Sequence, residues 1–113
     1  MDHVRPSELR DWFAAVAPNG ATPVVLDVRE PWEWQTSSVK AEGFELVCIP
    51  MGSIPSRLAD IDPARPVACL CHHGARSLRV AVFLQQQGFG TVANITGGIE
   101  AWAQELDPAL PRY

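Results

Sequence analysis

The sequence predicts an α/β domain built on a mostly parallel sheet, and three observations carry that expectation. Short, β-branched, nearly continuous apolar runs recur at 23–28, 44–50, 66–71 and 91–95, the pattern of strands covered on both faces. Stretches with helical spacing or helix-start signals lie between them, as the crossovers of a parallel sheet require. With 113 residues, 47% apolar and 19% charged, the chain has room for one domain over 1–113 and one core.

Each element has a local reason. Ser7 is a candidate N-cap for a helix over 8–16, where Leu9, Trp12, Phe13 and Val16 fall at helical spacing before Pro18-Asn19-Gly20 stops it. PVVLDV at 23–28 is a buried strand, and Pro31 in REPWEWQTS suits the first turn of a following helix. FELVCIP at 44–50 is a second such strand, SIPSRLADI offers a short helix near 54–60, and PVACLC at 66–71 is a third strand. RSLRVAVFLQQQG is apolar almost all round and ends at Gly88, so it is expected to be the most buried helix. TVANI at 91–95 supplies another strand, and GGIEAWAQEL a final helix with Ile99, Trp102, Ala103 and Leu106 on one face. DPALPRY is a proline-broken tail.

A net charge of −4 and a pI near 5.2 argue against nucleic acid or an anionic membrane as partner, since both need a clustered basic face. The beginning of the sequence lacks the apolar stretch of a signal peptide, and no apolar run approaches the ~20 residues of a membrane span, so a cytoplasmic protein is expected. Three cysteines, Cys48, Cys69 and Cys71, are too few and odd in number for a disulfide framework and fit a reducing compartment.

The chemistry concentrates in CLCHHGARS, residues 69–77. Cys69, Cys71, His72 and His73 are metal-ligand types, but four nearly contiguous residues do not easily surround a tetrahedral ion, and no second ligand pair is evident. Cys48 and Cys69 lie within predicted strands and read as core residues. Cys71 ends its strand and opens a short glycine-containing loop that feeds a helix, where successive backbone N–H groups and the helix N-terminus converge on an anion. Arg76 adds a permanent cation. That setting favours a nucleophilic thiolate and an anionic substrate.

With LDVREPWEW, IPMG, CHHGARS and GGIEAW in place along nearly the whole chain, the sequence resembles the single-domain rhodanese family of sulfurtransferases. The resemblance implies a five-stranded parallel sheet flanked by helices on both faces, with HVR at 3–5 as an extra edge strand. It implies that Cys71 attacks the outer sulfur of a donor such as thiosulfate or a persulfide and passes that sulfur from a persulfide to a thiol or cyanide, with no cofactor. It places the amides of His72, His73, Gly74, Ala75, Arg76 and Ser77 around the transferred sulfur, with Arg76 orienting the donor's anionic group. Asp27 and Arg29 brace the loop by the same resemblance. The related phosphatases and arsenate reductases carry one residue more between cysteine and arginine, and the smaller ring here suits one sulfur atom better than a phosphoryl group. Two departures stand out: TSSVKAEGFELVC replaces the family's Gly-His-Ile-Pro-Gly-Ala pattern, and His72 stands where many members carry arginine.

Trp32 and Trp34 can line the site's mouth or belong to the core. Besides the enzyme, a rhodanese-fold docking module without turnover fits the same chain, although it needs neither Cys71 nor Arg76. The tail DPALPRY resembles the end of rhodanese domains joined to enzymes that activate ubiquitin-like sulfur carriers, which makes such a carrier or its activating enzyme a candidate partner.

Overall fold

The computed structural model describes residues 1–17 and 20–113, so the stop expected at Pro18 and Asn19 lies outside the described residues. Five strands, β1 (Asp2–Val4), β2 (Val24–Asp27), β3 (Glu45–Cys48), β4 (Val67–Leu70) and β5 (Val92–Ile95), form one sheet in the order β1-β5-β4-β2-β3. All four pairings are parallel. The helices are α1 (Leu9–Val16), α2 (Pro31–Thr36), α3 (Ala75–Gln86) and α4 (Gly98–Glu105).

The side chains of a strand alternate between faces, and here they sort into two cores. Val24, Leu26, Val67, Cys69 and Val92 pack with Val80, Ala81 and Leu84 of α3. Val25, Ala68, Leu70, Ala93 and Ile95 pack on the other face with Leu9, Ile99, Trp102 and Leu110. Every residue of β2, β4 and β5 is buried, which explains their continuous apolar runs.

Several boundaries and burials differ from the sequence expectation. The first helix begins as a 3₁₀ turn at Pro6–Glu8 closed by a bond between Glu8 and the Arg5 amide, and the Ser7 amide instead donates to Glu105 on α4 at 3.1 Å. The 54–60 helix is a 3₁₀ segment, Pro55–Asp60, kinked at Arg57. Cys48 is only half-buried because β3 is an edge strand. The most enclosed helix is α4, which buries Gly98, Ile99, Ala101, Trp102 and Ala103. On α3, Leu78 and Val82 face outward, so its apolar residues exceed what one sheet face can cover. Leu106, expected on the buried face, lies just past α4 and is exposed.

One close approach fixes the two ends of the site. The amides of Ile99 and Glu100, at the start of α4, donate to the carbonyls of Cys71 at 2.9 Å and His72 at 3.2 Å. Gly98 makes this approach feasible: its φ is +60°, and a Cβ there would strike the carbonyl oxygens of Cys71 and His72, backbone atoms that cannot yield. Gly98→Ala should therefore cost about 3 kcal/mol or more, from strain and collision together. At Gly90 an added Cβ meets nothing within 4 Å, so Gly90→Ala should change stability by under about 1 kcal/mol. Chemical denaturation of both variants measures the contrast.

Candidate active site

Strand β4 ends at Leu70, and Cys71 follows as the first residue of the loop, at the carboxyl end of the sheet where parallel folds place their ligands. The loop closes at Gly74, whose φ of +108° is the left-handed turn into α3. That turn brings the Gly74 amide to 3.0 Å from Cys71 Sγ. The first amides of α3 lack intrahelical acceptors and open toward the same end.

A second partner reaches the sulfur from α3. Ser77 Oγ lies 3.2 Å from Sγ and 2.6 Å from Oδ1 of Asn94 on β5. The Asn94 amide nitrogen donates to the Gly74 carbonyl at 3.2 Å, which leaves Oδ1 to accept from Ser77. A thiol at Cys71 can then donate to Ser77, which donates onward to Asn94. When the sulfur is anionic, the Ser77 proton can turn to it without moving a heavy atom. Cys71 itself is 1% exposed.

The charged residues form a chain beside this bowl. Asp27 and Arg29 are completely buried and paired through Oδ2 and a guanidinium nitrogen at 2.7 Å. Arg29 also donates to the carbonyls of Glu33 and Ser37, at 3.3 and 2.8 Å, and to the Tyr113 phenol oxygen at 2.8 Å. Its bonds thus go to α2, the segment after it and the tail. They reach the active loop through Glu33, whose oxygens receive Arg76 at 2.6 and 2.9 Å.

Glu33 is 3% exposed, and besides Arg76 its carboxylate accepts the Glu30 amide at 3.0 Å and the Tyr113 hydroxyl at 2.6 Å. The Arg76 bonds, helped by those from Tyr113 and Glu30, outweigh burial and hold its carboxyl at about 2. Glu33 in turn pushes the Arg76 guanidinium upward. The fixed cation of the loop is therefore matched by an equally fixed anion.

His72 packs between two rings, His73 at 3.9 Å and Tyr113 at 4.0 Å between centroids. Burial first, and then the neighbouring His73, pushes its pKa below the ordinary imidazole value. Its Nε2 is enclosed without a hydrogen-bond partner. Trp32 is 60% exposed and meets Tyr113 edge-on, and Trp34 is half-buried. Cys69 is fully enclosed, and burial drives its thiol pKa far up. Among the described residues, no three His, Cys, Asp or Glu side chains gather to hold a metal ion.

Glu33, Ser77's partner Asn94, Gly98 and Tyr113 were not singled out by residue type. Glu33 carried one readable signal, a carboxylate two residues after the proline that opens its helix. A groove of about 860 Å³ also opens along Leu9, Phe13, Phe44 and Trp102, residues that pack on the sheet face opposite the core containing Cys71.

Comparison with known proteins agrees with this geometry. A model of the Rhodanese-like domain family matches residues 6–105. A sulfurtransferase of Allochromatium vinosum is 37% identical over 87 residues, covering 77% of this chain and 78% of that protein. The probable adenylyltransferase/sulfurtransferase MoeZ of Mycobacterium tuberculosis is 30% identical over 110 residues, 97% of this chain but 26% of MoeZ. The chain likewise spans 30% of another longer relative. The crystal structure of a rhodanese-like domain protein from Staphylococcus aureus superposes with a TM-score of 0.74 at 25% identity, over 100% of this chain and 99% of that one. On the family match, the shared parallel sheet and the loop at its carboxyl edge, this chain belongs to the rhodanese-like domain family.

Proposed function

We propose that the protein is a sulfurtransferase that carries a sulfane sulfur on Cys71. The observation that supports this best is the placement of Cys71 Sγ at the mouth of α3, with the Gly74 amide at 3.0 Å and the Ser77 hydroxyl at 3.2 Å. Both can donate to a negative sulfur, which is what a thiolate nucleophile and a terminal persulfide share.

The reaction balances without a redox partner. The Cys71 thiolate attacks the outer sulfur of thiosulfate, a new S–S bond forms, and the old one breaks with its electron pair leaving as sulfite. Charge is conserved, three negative charges before and after. A thiolate or cyanide then attacks the outer sulfur of the persulfide, and the Cys71 thiolate departs as leaving group. A persulfide donor enters by the same first step, releasing a thiolate in place of sulfite.

Because Glu33 already holds Arg76, donor binding rests mainly on backbone amides and on the outward edge of that guanidinium, whose side chain is 32% exposed. This suits a donor recognised by its terminal sulfur. The likeness to MoeZ, named as an adenylyltransferase and sulfurtransferase, supports a sulfur-carrier protein or its activating enzyme as partner.

Intact mass after incubation with thiosulfate, and separately with a persulfide donor, tests the reading. The wild-type chain should gain one sulfur atom, Cys71→Ser none, and Cys69→Ala and Cys48→Ala should load as wild type. Loss of buried volume should make Cys69→Ala less stable by about 1–2 kcal/mol. A persulfide on the Cys71→Ser protein would defeat the assignment of the nucleophile, and no gain by the wild-type chain would favour a docking module.

The Glu33–Arg76 pair adds a pH signature. The folded Glu33 carboxyl sits at about 2 against an ordinary 4.5, so the folded state favours the anion. Its contribution is complete above the ordinary value and is lost as pH falls through the range from about 4.5 to about 2. The full shift corresponds to at most about 3 kcal/mol. Urea denaturation from pH 7 down to about 2.5 should show this loss in the wild type, and Glu33→Gln should lack that component while being less stable at pH 7.

A further inference from the structure

We propose that Tyr113 is a positioning residue of the sulfur-transfer site, holding His72 in a three-ring stack beside Cys71 while its hydroxyl keeps Glu33 on Arg76. The inference rests on the sulfur-transfer reading above and concerns a residue well outside the loop in sequence.

The tail that carries Tyr113 is tied down at several points. Leu110 is 7% exposed and packs in the core with Trp102 and Ile95. The Leu110 amide donates to the Asp107 carbonyl at 3.1 Å, and Arg112 pairs with Glu100 of α4. These ties deliver the Tyr113 ring to the face of His72, with an interplanar angle of 16° and a centroid distance of 4.0 Å.

The phenol has a defined proton. Arg29 can only donate, so the Tyr113 oxygen accepts from it at 2.8 Å and its own hydrogen goes to Glu33 at 2.6 Å. Burial and the Glu33 bond push the phenol up to about 12, so this donation persists across the working pH range. Tyr113 therefore joins the buried Asp27–Arg29 pair to the Glu33–Arg76 pair at the start of α3.

The ring acts on His72, the residue bonded directly to Cys71. His72 has His73 on its other face, Glu33, Glu100 and Arg76 as its charged neighbours, and an enclosed Nε2 without a partner. Glu33 and Glu100 favour its charged form, whereas His73, Arg76 and burial oppose it. With the ring in place burial favours the uncharged imidazole and both its faces are covered, so the peptide between Cys71 and His72 is held from both the α4 side and the side-chain side.

Two variants separate the arms of this role in the intact chain. Tyr113→Phe keeps the ring and removes the hydroxyl; Tyr113→Leu removes both. The His72 titration, read by NMR, should have a midpoint below the ordinary value in the wild type and in Tyr113→Phe, and should return toward about 6.5 in Tyr113→Leu. For thiosulfate turnover, kcat should fall about threefold in Tyr113→Phe and about tenfold in Tyr113→Leu, the scale of one or two lost hydrogen bonds and contacts, with KM changing by less. An unchanged kcat in a folded Tyr113→Leu protein overturns the proposal whatever the His72 midpoint does. An unmoved midpoint there also overturns it. If Tyr113→Leu does not fold, Tyr113→Phe decides alone, and an unchanged kcat in it overturns the proposal. A wild-type chain that takes up no sulfur defeats the functional reading instead, and the His72 midpoint, which needs no turnover, still decides whether Tyr113 holds the stack.

Discussion

The active loop depends on a backbone contact that has no room for a side chain. The carbonyls of Cys71 and His72 rest on the first amides of α4, over a glycine whose missing Cβ leaves the space. A peptide unit is planar with its C=O and N–H pointing in opposite directions, so fixing those two carbonyls on α4 aims the amides of His72 and His73 away from it. Gly74 then reverses the chain and adds its own amide at the sulfur. The donors facing the sulfur are thus set mainly by backbone docking, with an ion-pair chain and stacked rings packed around it.

Those side chains are charged, and their arrangement explains how a small domain tolerates them. Asp27 and Arg29 lie wholly within the protein, where an unpaired ion would cost several kcal/mol. Each added partner brings opposite charge or a complementary dipole: Asp27 to Arg29, Arg29 to Tyr113, Tyr113 to Glu33 and Glu33 to Arg76. Each charged member meets an opposite charge, and the neutral phenol of Tyr113 bridges Arg29 and Glu33, so no member is left alone in low dielectric. The chain runs from the end of β2 through α2 to the start of α3, and so links the strand beside the loop to the helix that follows it.

This division between backbone and side chain also sets what could be read from the sequence. The alternation of apolar runs and helical stretches was legible because burial on both faces of β2, β4 and β5 leaves Asp27 and Asn94 as their few polar positions. The loop at 71–77 was legible because a cysteine, a glycine and an arginine at a strand-to-helix junction have a shared physical rationale. The helix ranking failed: periodicity cannot say how wide a face the sheet covers, and Leu78 and Val82 of α3 are left outside while short α4 is enclosed. Cys48 was misjudged for a related reason, since an apolar run does not reveal which strand is at the edge. Glu33, Asn94 and Tyr113 meet the site from α2, β5 and the tail, and the distances that unite them arise only on folding.

The burial of Cys71 bears on how sulfur transfer would proceed in two stages. A thiol that is 1% exposed has few encounters with bulk oxidants or unrelated electrophiles, so under the proposed reaction a slim donor presenting its terminal sulfur would be favoured. Once loaded, the outer sulfur extends the side chain by an S–S bond of about 2.05 Å. In the proposed second stage, the atom to be attacked would then lie farther from the backbone than the atom that attacked in the first. The Gly74 amide and the Ser77 hydroxyl lie within hydrogen-bond reach of Sγ itself, whereas the Arg76 guanidinium is already paired with Glu33. On the proposed reaction, the burial that guards the thiol would therefore act less on the persulfide, with one sulfur atom making the difference in reach.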